Sequence, residues 1–532
     1  MSRVFRQIVC AGLTTVSLSL FASDSGIQTG LIPLSTPDLP AVTAPDEVAQ
    51  PQPLPDIPGL EIEVFGFVYD GVTLFDPIEF DQLNLDELLG TATIQDLRNA
   101  ADRIAAFYRE RGYLASVFLP RQDVTQGIVN FQIVESRIGQ IQDPTDAAVS
   151  RERLAEALLQ GEILEFEALD RALLLADDLA GVNVTGRLVE GAEVGQTDIL
   201  VIETDEPDRL TANLNNSGSR STGRIRGELN WQGVAPGTQS TQMNLGVVKS
   251  EGVDQVSASL AWPVGIDGLT AGVQVSRLNY EVVEGDQVAL DPEGTSQSSA
   301  ITLRYPLIRA RNQNLYLSAE ISRADYRNEA SGAVTSDYQV QATQLGLSGN
   351  QFLQRKGLPG SIQGGVTLTE GVSDRAGSDD HFWILGANLN YTQQVEATDR
   401  ISLRWRTQRT DQTLDSSQRI SLGGPSGVRA YPAGEGSGDD VHIVSAEFQR
   451  DLDGKTQVGI FYDWGYTRAR DDEDYELDGL GISLSRSLTP SLSLSAQVAR
   501  RLGNHPKPSA SGKNQDGSSD KTQYWLRLNY ER

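Results

Sequence analysis

Two short stretches in the last quarter of the chain carry side chains that call for each other. The first is Leu422-Gly-Gly-Pro-Ser-Gly-Val-Arg-Ala-Tyr-Pro432, a glycine- and proline-rich loop with one motif of larger residues, Val428-Arg429-Ala430-Tyr431. The second is Gly459-Ile-Phe-Tyr-Asp-Trp-Gly465. Read as a strand, it places Val458, Ile460, Tyr462, Trp464 and Tyr466 on one face, with Gly459, Phe461, Asp463 and Gly465 on the other. A lone carboxylate among glycines, on the inner face of a strand that is apolar outside, requires a cation, because burying an unpaired charge is costly. Arg429 is the candidate. Taken alone, the first stretch is equally an ordinary surface loop, with Arg429 a solvated arginine.

These residues need a wall to sit in, and the region from Glu206 onward supplies one. Helix signals stop there, and the chain breaks into sixteen short alternating segments, the first near 209–216 and the last near 521–531. An even number of strands of about ten residues is what a closed outer-membrane barrel requires. Every second connection is short and turn-like, such as Gly265-Ile-Asp-Gly268 and Asp451-Leu-Asp-Gly454. The others, 282–296, 328–335, 371–381, 411–438 and 502–520, are mostly longer and polar. Faces separate within the strands. Leu315, Leu317, Ala319 and Ile321 oppose Ser318, Glu320 and Ser322; Ile401, Leu403 and Trp405 oppose Ser402, Arg404 and Arg406. In the last strand Tyr524, Leu526, Leu528 and Tyr530 oppose Trp525, Arg527 and Asn529. An arginine on a lipid face costs roughly 2–4 kcal/mol at the midplane, so the charged set lines the lumen. A soluble β-sandwich is the competing architecture, and it has no need of so many strands in one run.

Composition agrees with an exported barrel. The chain has 532 residues, 22% charged and 39% hydrophobic, with mean hydropathy −0.30. No apolar run beyond the N-terminus is long enough to span as a helix, but alternating barrel strands escape that test. Residues 1–22 read as a secretory signal peptide, with Arg3 and Arg6 before the apolar Ile8–Leu20. The only cysteine, Cys10, lies in the segment to be removed, so the mature chain has no thiol, disulfide or cysteine metal site. The net charge of −28 argues against nucleic acid as a partner, since that needs a basic face.

Between signal and barrel lie three further segments. Residues 23–58 carry eight prolines, from Pro33 to Pro58, among polar residues and form an extended linker. Residues 59–136 read as a small α+β module: a strand Leu60–Tyr69, a helical stretch around Phe80–Leu89, a helix Thr93–Arg111 capped by Thr93 and ended by Gly112, and strands Tyr113–Leu119 and Ile128–Glu135. Residues 137–206 repeat the β-α-α-β-β order, with helices Ser150–Leu159 and Glu165–Leu179. The two copies end alike, in Phe131-Gln-Ile-Val-Glu135 and Ile199-Leu-Val-Ile-Glu203.

The run Arg111-Gly-Tyr-Leu-Ala-Ser-Val-Phe-Leu-Pro-Arg-Gln-Asp-Val-Thr-Gln-Gly127, with Phe131–Glu135 after it, resembles the first POTRA domain of the ShlB/FhaC/HecB family. These are the outer-membrane transporters (TpsB proteins) of two-partner secretion. Val428–Tyr431 resembles the tip motif of that family's sixth extracellular loop, and Phe461-Tyr-Asp-Trp-Gly465 the barrel-wall motif F-x-D-x-G that receives it. The resemblance runs from Gly59 to the end of the chain. It implies a mainly β protein: a 16-stranded antiparallel transmembrane barrel, 207–532, behind two POTRA domains. Loop 411–439 would fold into the lumen, where Val428, Arg429, Ala430 and Tyr431 meet Phe461, Asp463 and Gly465. It further implies export of one large, unfolded, β-rich exoprotein without ATP, from a periplasmic recognition step to the cell exterior. Strand addition to a POTRA edge is the expected recognition mode, with Tyr113, Leu114, Val117 and Leu119 as candidate contacts. The remaining implied partners are outer-membrane lipid and lipopolysaccharide, and the barrel assembly machinery that inserts the chain as a monomer.

The sequence departs from the family pattern in three places. Ala430 stands where the commoner motif has glycine, no amphipathic helix precedes the first POTRA domain, and the chain ends Asn529-Tyr-Glu-Arg532 without a terminal aromatic. A barrel-assembly or insertion factor of the same superfamily shares the loop motif and its receiving strand and is the rival reading; a passive porin would not need the periplasmic domains. Catalysis finds no support. His381, His442 and His505 fit neither a Ser/His/Asp arrangement nor metal-ligand spacing, so neither an enzyme nor a bound cofactor or metal is expected.

Overall fold

A computed structural model describes residues 61–144, 148–285, 288–375, 378–470, 474–509 and 512–532. The expected signal peptide and linker lie outside the described residues. The described residues divide into two compact units, 61–206 with Arg309–Arg311, and Pro207–Ile308 with Asn312–Arg532.

The N-terminal unit holds two modules of one plan. In the first, Gly66–Asp70 runs parallel to Ile128–Glu135, which is antiparallel to Ala115–Phe118. In the second, Arg137–Gln142 runs parallel to Gln196–Asp205, which is antiparallel to Val182–Glu190. The helix Ile94–Glu110 begins where Thr93 and Asp96 cap each other: the Thr93 hydroxyl accepts from the Asp96 N–H at 3.2 Å, and the Asp96 carboxylate accepts from the Thr93 N–H at 3.0 Å. Its inner face buries Leu97, Ala101, Ile104 and Tyr108 against Val64, Phe131 and Ile133. The second module packs Leu169 and Leu173 of the helix Phe166–Asp177 on Val184, Leu188, Ile199 and Val201.

Two local expectations differ. The single strand 60–69 is two strands in different sheets, Glu61–Val64 and Gly66–Asp70, broken at Phe65, whose N–H is taken by Gly127. The helical stretch 80–89 is a pair of 3₁₀ turns, Pro77–Leu83 and Leu85–Leu88. Asn84 between them sits in the left-handed region at φ 50°, which stops any helix from running through.

The second unit is a closed ring of sixteen strands in chain order. It starts with Arg209–Asn215 and closes where that strand pairs with Thr522–Glu531, Arg527 opposite Asn215. Side chains alternate as a membrane barrel demands. Leu317, Ile321, Ile401, Leu403, Tyr524 and Leu526 point outward, with Ile321 66% exposed, while Trp525 is buried inside. The polar segments expected as loops at 328–335 and 371–381 are largely strand. Gln313–Ala330 and the 23-residue Ala333–Arg355 meet in a tight turn at Ser331 and Gly332, both at positive φ. Strands this long, roughly 60 and 75 Å of contour at about 3.3 Å per residue, run well past an apolar band about 25 Å tall. Past the band both faces are polar, which reads in sequence as loop.

Candidate functional site: an ion cluster between an inward loop and the barrel wall

The segment after the strand Asp399–Arg409 does not return directly to the ring. It passes through a short 3₁₀ turn, Ser416–Gln418, and a two-residue ladder pairing Ile420–Ser421 with Ser437–Gly438. Beyond that neck the chain forms a self-bonded turn. Leu422 N–H donates to the Gly436 carbonyl at 2.8 Å, and Val428 N–H to the Leu422 carbonyl at 2.7 Å. Gly424 takes φ +113°, and a methyl group on Gly427 would fall 1.9 Å from the Leu422 oxygen, so the Gly-Gly-Pro-Ser-Gly run is dictated by backbone geometry. The turn thrusts Val428–Tyr431 onto the inner wall. There Leu422, Val428, Ala430 and Tyr431 form one buried cluster with Val441, Ile443, Phe461, Tyr475, Leu477 and Ala499.

Arg429 is the largest fully buried side chain of the described residues, at 0% exposure. Its Nε and Nη2 reach the two oxygens of Asp463 at 2.8 Å each, a bidentate pair, and its own backbone N–H adds a third bond at 3.1 Å. Asp463 is equally buried. Nη1 donates to Glu447 at 2.9 Å and Nη2 to the Ser445 hydroxyl at 3.1 Å. The guanidinium carbon lies 3.2 Å from the ring centroid of Phe461, and the Arg429 carbonyl accepts from the Trp525 indole at 2.8 Å. Every donor direction of the guanidinium but one is therefore assigned. Charge-assisted and bidentate bonds of this kind are roughly twice as strong as neutral ones. Breaking one side of a buried pair typically costs about 3–5 kcal/mol, because the other charge is left uncompensated.

The strands explain the placement. On three neighbours the inner residues Arg404, Ser445 and Asp463 stand opposite one another in register. Arg404 also donates to the Ser445 hydroxyl, at 3.2 Å. Glycines make room for the tip: a methyl on Gly465 would come within 2.9 Å of Val428, one on Gly479 within 2.3 Å of Ala430, and one on Gly481 within 2.2 Å of the Phe461 ring.

All seven residues expected at the loop–wall contact, Val428 to Tyr431 with Phe461, Asp463 and Gly465, are brought together. Sequence reasoning missed Glu447, Ser445, Trp525, Gly479 and Gly481. The alternate glycines of Asp478-Gly-Leu-Gly-Ile482 were a legible signal, since a period of two puts both on one face.

The four candidates in the first module sit differently. Leu119 is buried in the module's own core, and Tyr113 and Val117 pack against it. Tyr113 also bridges to Glu165, and Leu114 lies against the second module's core while its carbonyl accepts from Ser136 at 2.8 Å. All four side chains thus serve packing, and among the described residues what is paired on one side only is the backbone edge of Ala115–Phe118.

A closed barrel with an inward loop fastened by a buried arginine, together with two small α+β modules, defines an outer-membrane transporter with periplasmic domains. The comparison with known families makes this particular. The profile of the haemolysin secretion/activation protein family ShlB/FhaC/HecB matches residues 195–486, more than half of the chain, and a ShlB-type POTRA domain matches 62–136. The chain belongs to this family: it is an outer-membrane translocator of two-partner secretion, acting with a secreted exoprotein partner, its POTRA domains in the periplasm.

It is 26% identical over 475 residues to the heme/hemopexin transporter protein HuxB of Haemophilus influenzae (strain 86-028NP), covering 82% of this chain and 81% of that one. To the outer membrane transporter CdiB of Dickeya dadantii (strain 3937) it is 23% identical, covering 64% and 63%. Among solved structures, CdiB from Escherichia coli superposes with a TM-score of 0.68 at 18% identity, over 91% of this chain and 94% of that one. BamA from Haemophilus ducreyi lacking POTRA domains 1–3 gives 0.56 at 14%, over 89% and 100%.

Proposed function

We propose that the loop 411–439 is a movable plug, locked in the lumen by Arg429 on Asp463 and Glu447, and that export of the partner needs the lock both to form and to open, so that a pore that cannot dock the loop leaks but exports poorly. The observation that carries this is the cluster itself. A fully buried guanidinium reaching from a loop to a wall is a fixed point with two definable states, docked and released. The partner, a large β-rich exoprotein, is taken up unfolded in the periplasm by the POTRA domains and passes through the barrel without ATP. The free edge of Ala115–Phe118 supports uptake by strand addition, in which backbone bonds supply affinity and alternate side-chain pockets supply specificity.

In this reading residues 1–22 are the signal peptide, 23–58 the linker, 59–136 and 137–206 the POTRA domains, and 207–532 the barrel. The outward belt meets outer-membrane lipid and lipopolysaccharide, and the monomer is inserted by the barrel assembly machinery. No step calls for catalysis or a cofactor.

The shared barrel fold with BamA keeps an assembly factor as the alternative. A deletion strain compared with its parent by quantitative proteomics separates the two. Loss of one large protein from the medium, with other barrels unchanged, supports the dedicated translocator. Loss of many barrels from the membrane, with the medium little changed, sinks it.

A further inference from the structure

The loop 411–439 is held at a second place that the ion cluster does not touch. At its neck Glu435 is fully buried, and its carbonyl accepts from the N–H groups of Leu422 and Gly423, so both arms of the loop meet there. Its carboxylate faces away from the loop, toward His505 and Gln515 in the connection between the last two strands. One oxygen pairs with His505 Nε2 at 2.9 Å, and the other accepts from the Gln515 backbone N–H at 2.9 Å.

Gln515 completes the contact in the other direction. Its side-chain oxygen accepts from Gly436 N–H at 3.1 Å, and its amide nitrogen donates to the Tyr475 hydroxyl at 2.9 Å. Tyr475 in turn donates to the Lys507 carbonyl at 3.2 Å. The His505 ring stands edge-on to Tyr431, 5.7 Å between centroids.

We propose that Glu435 is a second anchor of the plug, separate from Arg429, and that His505 and Gln515, from the connection between the last two strands, are its keepers. None of the bonds to the Glu435 carboxylate involves Asp463, Glu447, Ser445 or Phe461, so the two anchors share no polar partner; they are linked by the loop's backbone and by packing, of His505 on Tyr431 and of Tyr475 in the cluster that holds Val428 and Phe461. Pulling the loop from the lumen strips a buried carboxylate of two polar partners, and a buried charge without partners is strongly disfavoured. The plug therefore leaves only after His505 and Gln515 let go. Opening is controlled from the outer rim as well as from the wall, and whatever engages the last outer loop biases the plug.

This rests on the loop being a movable plug, and the test separates the two ideas. Full-length protein is placed in planar bilayers, and the open-pore probability is compared for the parent, Arg429→Ala, Glu435→Ala and the double variant. Each single change is expected to raise it by about tenfold and the double by about the product, since energetically independent sites add in free energy. A Glu435→Ala pore that behaves as the parent overturns the second anchor, as does a double variant no more open than Arg429→Ala. Four proteins equally closed overturn the plug reading itself. Gln515→Ala and His505→Ala act from the keeper side and are expected to reproduce Glu435→Ala. Their effect stays measurable if Glu435→Ala fails to fold, which heat-modifiable gel mobility reports.

Discussion

Ala430 packs directly over Gly479, so closely that a methyl group on that glycine would lie 2.3 Å from the Ala430 Cβ. This explains how the tip tolerates alanine where the family's motif more often has glycine: the wall strand gives up its own side chain at the contact. Gly479→Ala is expected to push the tip off the wall. Overpacking of this kind costs roughly 1–3 kcal/mol, which is about 5- to 150-fold in the ratio of docked to released loop. Single-channel recording would show more frequent openings, and Ala430→Gly in the same chain would reverse them.

The cluster has two carboxylates for one loop arginine, and this decides how a charge swap behaves. Exchanging Arg429→Asp with Asp463→Arg rebuilds one pair but points the new aspartate at Glu447, which held Nη1 at 2.9 Å. Like charges in a confined, poorly hydrated site repel strongly. The expected order of export is parent, then the triple variant adding Glu447→Gln, then the double swap, with Arg429→Ala near the bottom. Secreted partner measured in culture medium gives that ranking. A double swap that restores full export would mean Glu447 is not part of the lock.

Much of this was legible in the chain. Asp463 stood out because it was the one carboxylate on a face of glycines and a ring, and the fixed period of two placed it inside. Glu447 did not stand out, for a physical reason. On its strand the inner face is itself apolar above the cluster, with Val441 and Ile443 buried against the loop, while Val444 and Phe448 face outward. Both faces are apolar there, so alternation vanishes where the plug packs. The long middle strands look short in sequence by the opposite effect, since beyond the membrane both faces turn polar. Tyr113 and Leu114 looked available for cargo because nothing in a sequence announces that two modules share a joint.

In the first POTRA module the buried Glu135 is a local pH sensor of stability. Burial would raise its pKa, but bonds from the Thr73 hydroxyl and N–H, the Leu74 N–H and the Tyr108 hydroxyl outweigh that and hold it below the ordinary glutamate value. A depressed carboxylate contributes stability above its unfolded pKa, about 4.3, and loses it as pH falls through the folded value. Hydrogen exchange across residues 61–144 of the whole protein should therefore show protection at neutral pH that fades below about pH 4. Glu135→Gln offers an amide where four donors need an acceptor. It is expected to cost roughly 1–3 kcal/mol at neutral pH and to flatten the pH dependence. An unchanged acid profile in that variant would assign the loss of protection to another group.

The last strand bears on the lock through Trp525, whose indole N–H donates to the Arg429 carbonyl at 2.8 Å. Thr522–Glu531 is also the strand that closes the ring, so the tip is fastened to the seam as well as to the wall strand that carries Asp463. Trp525→Phe keeps an aromatic body but removes the donor, leaving a buried carbonyl unpaired at a cost of about 1–3 kcal/mol. Openings should become more frequent, though less so than with Arg429→Ala, since a neutral bond is lost and no charge is exposed. If the indole acts only through the tip, Trp525→Phe added to Arg429→Ala should change little further, because residues of one network are not additive. A full additional increase in that background would place the role of Trp525 in barrel closure instead.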